Sequence, residues 1–325
     1  MREPVWEFLI VNYLFLGGLS AGLFFVSGLA TWIQDRENKP AYPALARLGA
    51  LLAPWPVSLG SALLILDLGK PLRFWKLFLH VRWRSPMSIG SWLLVAFTIL
   101  SLAYLWSWLE ADERRRWVGK VPAKLYGKLP AFLRTWLEAD GAPRRRLLAL
   151  AGLPMSVGVG IYTGVLLGAV QSRPFWNTNL VAQMFLFSAL SSGAATLVLL
   201  RFFGKDHPGL RELRFLYGLD IVLMGLELFI VLPYLIHGNL SSLAVKQALQ
   251  QILGGPYTFV FWGLFLGLGL LAPLAVELWE FKPFLLGRGP FHVDPRWARI
   301  AGVLVLIGGY TLRYVFVFAG QATGF

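Results

Sequence analysis

The sequence contains no cysteine and only four histidines, and charged residues make up just 14% of its 325 positions. Without cysteine the chain forms no disulfide, holds no thiolate-ligated iron–sulfur cluster, presents no thiol nucleophile and attaches no haem through thioether bonds. Any such centre has to belong to another chain. A b-type haem needs histidines at bilayer depth on facing helices, whereas His80, His207 and His292 fall in loops and His237 at a helix end. No haem of its own is therefore expected. The scarcity of charge excludes a soluble fold, whose composition runs to about 25% charged residues.

In place of charge the sequence has apolar length. It is 57% hydrophobic, and eight runs are long enough to span a bilayer, which takes about 20 residues each. They lie near 8–33, 45–67, 87–109, 147–170, 180–202, 214–237, 256–280 and 297–319. The first is longer than the apolar core of a signal peptide and reads as a retained helix. In a chain this apolar, the net charge of +13 is loop charge that sets orientation, and nucleic acid drops out as a partner. Twenty-one basic residues fall on the side of the first loop and eight on the other. The expected fold is an all-α integral membrane protein of eight helices in the cytoplasmic membrane of a bacterium or archaeon. Both termini then lie outside, in the periplasm of a Gram-negative cell.

The one long loop, 110–146, is basic. Its stretch Leu129–Leu137 (LPAFLRTWL) suits a short amphipathic helix in the membrane interface, and a plain basic connector suits it as well. Cutting the chain near residue 175 exposes an internal repeat. Asn12–Gly22 (NYLFLGGLSAG) aligns with Gln183–Gly193 (QMFLFSALSSG), and Gly160–Thr163 (GIYT) with Gly308–Thr311 (GGYT). Four helices separate the copies, so the repeats are parallel and predict two four-helix bundles, residues 1–175 and 176–325.

A polar side chain in hydrocarbon costs a few kcal/mol, so each one there is a candidate for function. In the first bundle Asn12, Asp67 and Tyr162 all fall in the outer leaflet. A quinone head group needs an apolar slot, hydrogen-bond donors for its two carbonyls and a carboxylate that passes protons, and these three residues supply those roles. From spacing alone the plainer reading weighs more: Asn12 and Tyr162 bridge helices, and Asp67 caps a helix or pairs with Lys70 or Arg73. In the second bundle Asp220 and Glu227 share one helix face about 10 Å apart. Glu277 lies near the inner end of helix 7 and Arg313 inside helix 8. The four either step a proton toward the membrane centre, or Arg313 neutralises a buried carboxylate and Glu277 sits at the interface. The segment after Asp67 places Lys70, Arg73 and Arg84 outside against the positive-inside trend, as a docking surface for an outer subunit or for lipid phosphate.

Taken together, several segments resemble one family. They are Asn12 with Gly17, Gly18 and Gly22; DLGKPLRFW (67–75) with SPMSIGSW (85–92); YTGVLL through RPFWN (162–177); and the terminal LRYVFVFAGQ (312–321). The chain is similar over nearly its whole length to the NrfD/PsrC-like membrane subunits of polysulfide reductase and related respiratory oxidoreductases. The resemblance implies eight helices and an exchangeable menaquinone or ubiquinone at the outer face of the first bundle. It also implies a ferredoxin-like iron–sulfur partner subunit, often with a molybdenum catalytic subunit. By position it places quinone binding on Asn12 and Tyr162 and proton exchange on Asp67, with Lys70, Arg73 and Arg84 facing the partner. A histidine that some members carry three residues after the asparagine is Phe15 here. Polysulfide, tetrathionate and nitrite all remain open as terminal substrates. The rival reading is a secondary transporter or proton-conducting protein without a redox role, which the repeat and the acidic residues also suit.

Overall fold

A computed structural model describes residues 8–34, 39–67, 75, 85–170, 172–203, 208–287, 291 and 293–323. Among these residues the regular elements are all helical, and eight helices are long and apolar enough to cross a membrane. They are α1 (Phe8–Trp32), α2 (Pro43–Asp67), α3 (Pro86–Trp108), α4 (Ala142–Gly168), α5 (Asn179–Phe203), α6 (Leu210–Leu240), α7 (Val260–Leu285) and α8 (Pro295–Gln321). Lys70, Arg73 and Arg84, expected to face a partner, lie outside the described residues.

Two spans are irregular for local reasons. Pro54 and Pro56 remove two backbone donors, and α2 divides at Ala53 into Pro43–Leu52 and Pro54–Asp67. Ser20 of α1 donates to the Ala53 carbonyl at 2.5 Å and Ser27 to that of Ala46 at 2.6 Å, so α1 pins both pieces. In α7 the stretch Val260–Leu271 winds as a π-helix, and α-helical winding resumes over Ala272–Leu285 at Pro273, which has no N–H to give.

The long loop folds into three short helices, Ala111–Gly119, Ala123–Lys128 and Ala131–Glu138, the last covering most of the stretch with amphipathic character. Arg47 of α2 clamps it through Glu110 at 3.2 Å and Glu113 at 2.8 Å. The backbone N–H of Glu110 and then Arg47 hold the Glu113 carboxyl below its ordinary range.

In lipid, helices associate through close packing of small residues. α1 and α5 are the most buried spans. α1 packs on α2, α4, α5 and α8, and α5 packs on α6, α8, α1 and α4. The same exchange of 1–4 for 5–8 turns the α3–α4 contact into the α7–α8 contact, and α2–α3 into α6–α7. Gly22 and Gly193, which the repeat aligns, touch each other where α1 crosses α5. A Cβ on Gly22 would come 2.1 Å from the Ala189 carbonyl oxygen and 2.9 Å from Gly193. Those obstacles are backbone and cannot rotate away. Gly22→Val is expected to cost upwards of about 1–3 kcal/mol and to lower the melting temperature in detergent well below that of Gly17→Val, whose Cβ meets only Thr163 Cγ2 at 3.8 Å.

Candidate functional site

Counting from the helix ends at ~1.5 Å per residue sets several side chains at similar depth on the side of the two termini. Tyr162 lies six residues before the end of α4, Tyr13 five after the start of α1, Gly90 four after the start of α3, and Asp67 closes α2. Tyr162 and Tyr13 are buried. Their hydroxyls lie within range of one another, yet among the described residues the Tyr13 hydroxyl completes no hydrogen bond of good geometry. The floor under Tyr162 is Gly90: a Cβ there would sit 1.7 Å from Tyr162 Cζ and 2.0 Å from its hydroxyl oxygen. Gly90 therefore exists as a notch for the phenol end of Tyr162.

Asn12, the next residue along α1, points elsewhere. Its Nδ2 donates to the Phe8 carbonyl at 2.8 Å, and its Oδ1 accepts from the Tyr310 hydroxyl of α8 at 3.4 Å. Phe8 and Phe15 contact the Tyr310 ring edge-on at 6.2 and 5.5 Å. The structure thus brings Tyr162 together with Tyr13, and Asn12 together with Tyr310, on two flanks of one helix. Tyr13, Gly90 and Tyr310 fall inside segments quoted above, the repeat copies NYLFLGGLSAG and GGYT and the segment SPMSIGSW, but the sequence pattern gives none of them a role. Asp67 is half-buried at the last position of α2.

Two of the quoted motifs meet at this same end. Arg173 donates to the Gln321 carbonyl, and Trp176 Nε1 to the Phe316 carbonyl at 2.6 Å. Gly320 leaves room for the Trp176 indole, whose Nε1 would lie 1.8 Å from a Cβ. The link between α4 and α5 is thereby fastened onto the end of α8.

A second polar cluster runs through α5, α6, α7 and α8. Arg313 is fully buried, at 0% exposure. It donates to Ser188 Oγ at 2.9 Å and to the Gly309 and Phe185 carbonyls at 2.5 and 3.3 Å, and stands 5.9 Å from the Phe15 ring. Glu227 lies beside it and shares Ser188. Asp220, one face of α6 further on, accepts from Ser191 at 2.6 Å and faces the Glu277 carboxyl. Glu280 follows Glu277, taking a hydrogen bond from Tyr217 at 2.9 Å and one from the Asp294 N–H at 2.9 Å. Glu277 is 3% exposed, enclosed by protein on the side where it meets Asp220 of α6. Asp220, Glu227, Glu277 and Arg313 are therefore one buried group, and Glu280 with Tyr217 extends it. Arg313 at one end touches Phe15, the neighbour of Tyr310. Among the described residues no three His, Asp or Glu side chains are grouped to hold a metal ion.

The sequence as a whole decides the family. A family model described as polysulphide reductase, NrfD, matches residues 1–324. The chain belongs to the polysulphide reductase NrfD family. Among the relatives of this NrfD-family protein is the polysulfide reductase C subunit of Wolinella succinogenes, 30% identical over 98% of this chain and 94% of the relative. Protein NrfD of Escherichia coli K12 is 31% identical over 98% and 96%. A more distant relative, the Hdr-like menaquinol oxidoreductase integral membrane subunit of Archaeoglobus fulgidus, is 24% identical over 98% and 71%. With eight apolar helices and this family, the chain is a multi-pass membrane protein.

Proposed function

We propose that this NrfD-family chain is the quinone- or quinol-binding membrane subunit of a multisubunit respiratory oxidoreductase. Its first four helices, within residues 1–175, form the bundle that holds the quinone. The last four, within 176–325, form the second bundle, and both termini face the outside of the cytoplasmic membrane. The observation that carries the reading is the buried Tyr13–Tyr162 hydroxyl pair over the Gly90 notch, at the end of the helices where the two termini emerge. With the two hydroxyls facing each other one phenol proton is left without an acceptor, which costs about 1–3 kcal/mol when buried, and a carbonyl oxygen of a quinone supplies that acceptor. A bound quinone carries two electrons and two protons between its oxidised and reduced forms. Tyr162 and Tyr13 orient the ring, Asn12 with Tyr310 closes the α8 flank, and Asp67 exchanges protons with the outside.

With no cysteine in the chain, electrons pass to or from an iron–sulfur subunit docked on the outer face, with a molybdenum subunit beyond it. Lys70, Arg73 and Arg84 are assigned to that contact. Polysulfide is the substrate class that the Wolinella relative's name favours, and either direction of electron flow suits the same residues.

The group Glu280–Glu277–Asp220–Glu227–Arg313 is proposed as a proton path that ends near Phe15 and Tyr310. Two carboxyls in contact hold a proton between them, and Asp220 facing Glu277 is such a pair. In the purified complex reconstituted in vesicles, Asp220→Asn with Glu277→Gln should abolish proton uptake while quinol-linked electron transfer continues. Unchanged uptake removes the path. The same buried group also favours the second reading, a proton conductor without redox chemistry. Proton flux through the subunit reconstituted alone, with no quinone present, distinguishes it.

A further inference from the structure

A groove of about 620 Å³ lies against α3, walled by Trp55 of α2, by Ile99 and Trp106 of α3, by Trp117 of the 111–119 helix, and by Phe132 and Trp136 of the 131–138 helix. Its lining is almost wholly apolar. It follows α3 from Ile99 to Leu109, about 15 Å at ~1.5 Å per residue, which is one leaflet of a hydrocarbon core ~30 Å thick. The Trp106 Nε1 already donates to the Leu137 carbonyl at 3.1 Å and the Trp55 Nε1 to the Leu51 carbonyl at 2.9 Å, so these two indoles have no donor left for a head group. A flexible acyl chain needs nothing more.

Leu137 also lines a second cavity of about 510 Å³, where Arg114, Arg115 and Glu138 supply the polar lining. Arg114 is only 8% exposed. It donates to the Ala139 carbonyl and reaches Asp140 at 3.5 Å, yet its Nε has no partner among the described residues. Glu138 is engaged by the Tyr126 hydroxyl, and Glu110 and Glu113 by Arg47. Over 110–146 there are ten basic residues against five acidic ones, so the segment that forms the mouth of the groove is net basic. The exposed Arg115 and the largely enclosed Arg114, lining one cavity beside an apolar slot one leaflet deep, fit an anion joined to a hydrocarbon tail.

We infer that the 110–146 loop and α3 form a binding site for one anionic phospholipid, its acyl chain in the tryptophan-walled groove and its phosphate on Arg114 and Arg115. The lipid seals the loop helices onto α3 at the level where the hydrocarbon gives way to head groups. The site is independent of the quinone assignment.

Four of the 14 tryptophans line the groove, so they report its occupant. The full-length protein is reconstituted in phosphatidylcholine vesicles containing brominated-acyl phosphatidylglycerol or, at equal mole fraction, brominated-acyl phosphatidylcholine. Stronger tryptophan quenching by the anionic lipid is expected. Arg115→Gln, at an exposed position whose loss leaves the fold intact, should reduce the anionic preference about five-fold, the value of one basic residue at a membrane surface. Arg114→Gln should remove most of the remainder. Ala103→Phe, which fills the groove from α3, should lower the anionic lipid's excess quenching while the arginines stay in place. Equal quenching by the two lipids in the unaltered protein overturns the proposal in favour of ordinary annular lipid. An anionic preference unchanged in Arg115→Gln, Arg114→Gln and Ala103→Phe places the site elsewhere, and displacement of the brominated lipid by a short-chain quinone makes the groove a quinone slot.

Discussion

Arg313→Met is expected to destabilise the protein by about 3–5 kcal/mol, because it strips the counter-charge from a carboxylate that stays buried. Arg313 is sealed at the junction of α1, α5 and α8, and Glu227 is the acid beside it. Its guanidinium also satisfies Ser188 and the carbonyls of Gly309 and Phe185. A loss of that size corresponds to a drop on the order of 10 °C in melting temperature. The double variant Arg313→Met, Glu227→Gln should recover most of it, since two neutral groups of similar volume need no pairing. Thermal melts of the detergent-purified single and double variants check this. Equal losses in both would mean that the arginine acts through its backbone-carbonyl contacts and that the charge pair adds nothing.

Gly90→Ala is expected to cut quinol-linked turnover about a hundred-fold while the helices stay assembled. The new methyl would lie 1.7 Å from Tyr162 Cζ, so the phenol has to swing out of its notch. Displacement of a positioning group by an ångström or more costs about that factor. The obstacle is a side chain and not a neighbouring backbone, in contrast to Gly22, so the fold survives. Turnover of the assembled complex with a soluble quinol, alongside a melt of the same sample, separates the two effects. Normal turnover in Gly90→Ala would show that the Tyr162 hydroxyl position is irrelevant to the reaction.

The eight spans were legible because apolar length is the one thing a bilayer demands, but their ends were not. α4 begins at Ala142, five residues before the apolar run, and carries Arg144, Arg145 and Arg146 inside the helix. Hydropathy cannot register this: Arg145 lies 4.3 Å over the Trp108 ring and Arg146 4.7 Å over Trp32, so cation–π contact and snorkelling hold charged turns in helix. The break at Pro54 was readable from chemistry, whereas the π-helical turns of α7 have no residue signature. Intramembrane charges stand out in sequence, so Asp220, Glu227, Glu277 and Arg313 were identifiable singly. Their assembly into one group, and the burial of Glu277, depend on which faces of the neighbouring helices turn inward. Tyr162 was visible for the same reason, while its partner Tyr13 was obscured by the more polar Asn12 beside it. Gly90 lies in the quoted segment SPMSIGSW but had no role there, since a glycine gains meaning only from the ring it makes room for.

The most direct measurement is a titration of the purified subunit with a fluorescent quinol-site inhibitor, in the unaltered protein and in Tyr162→Phe. Saturable binding to the unaltered protein, weakened about ten-fold or more when one hydrogen-bonding hydroxyl of a buried pair is removed, with an unchanged melting temperature, is the expected result. Saturable binding of equal strength in both proteins would contradict the assignment of the quinone to the Tyr13–Tyr162 pair.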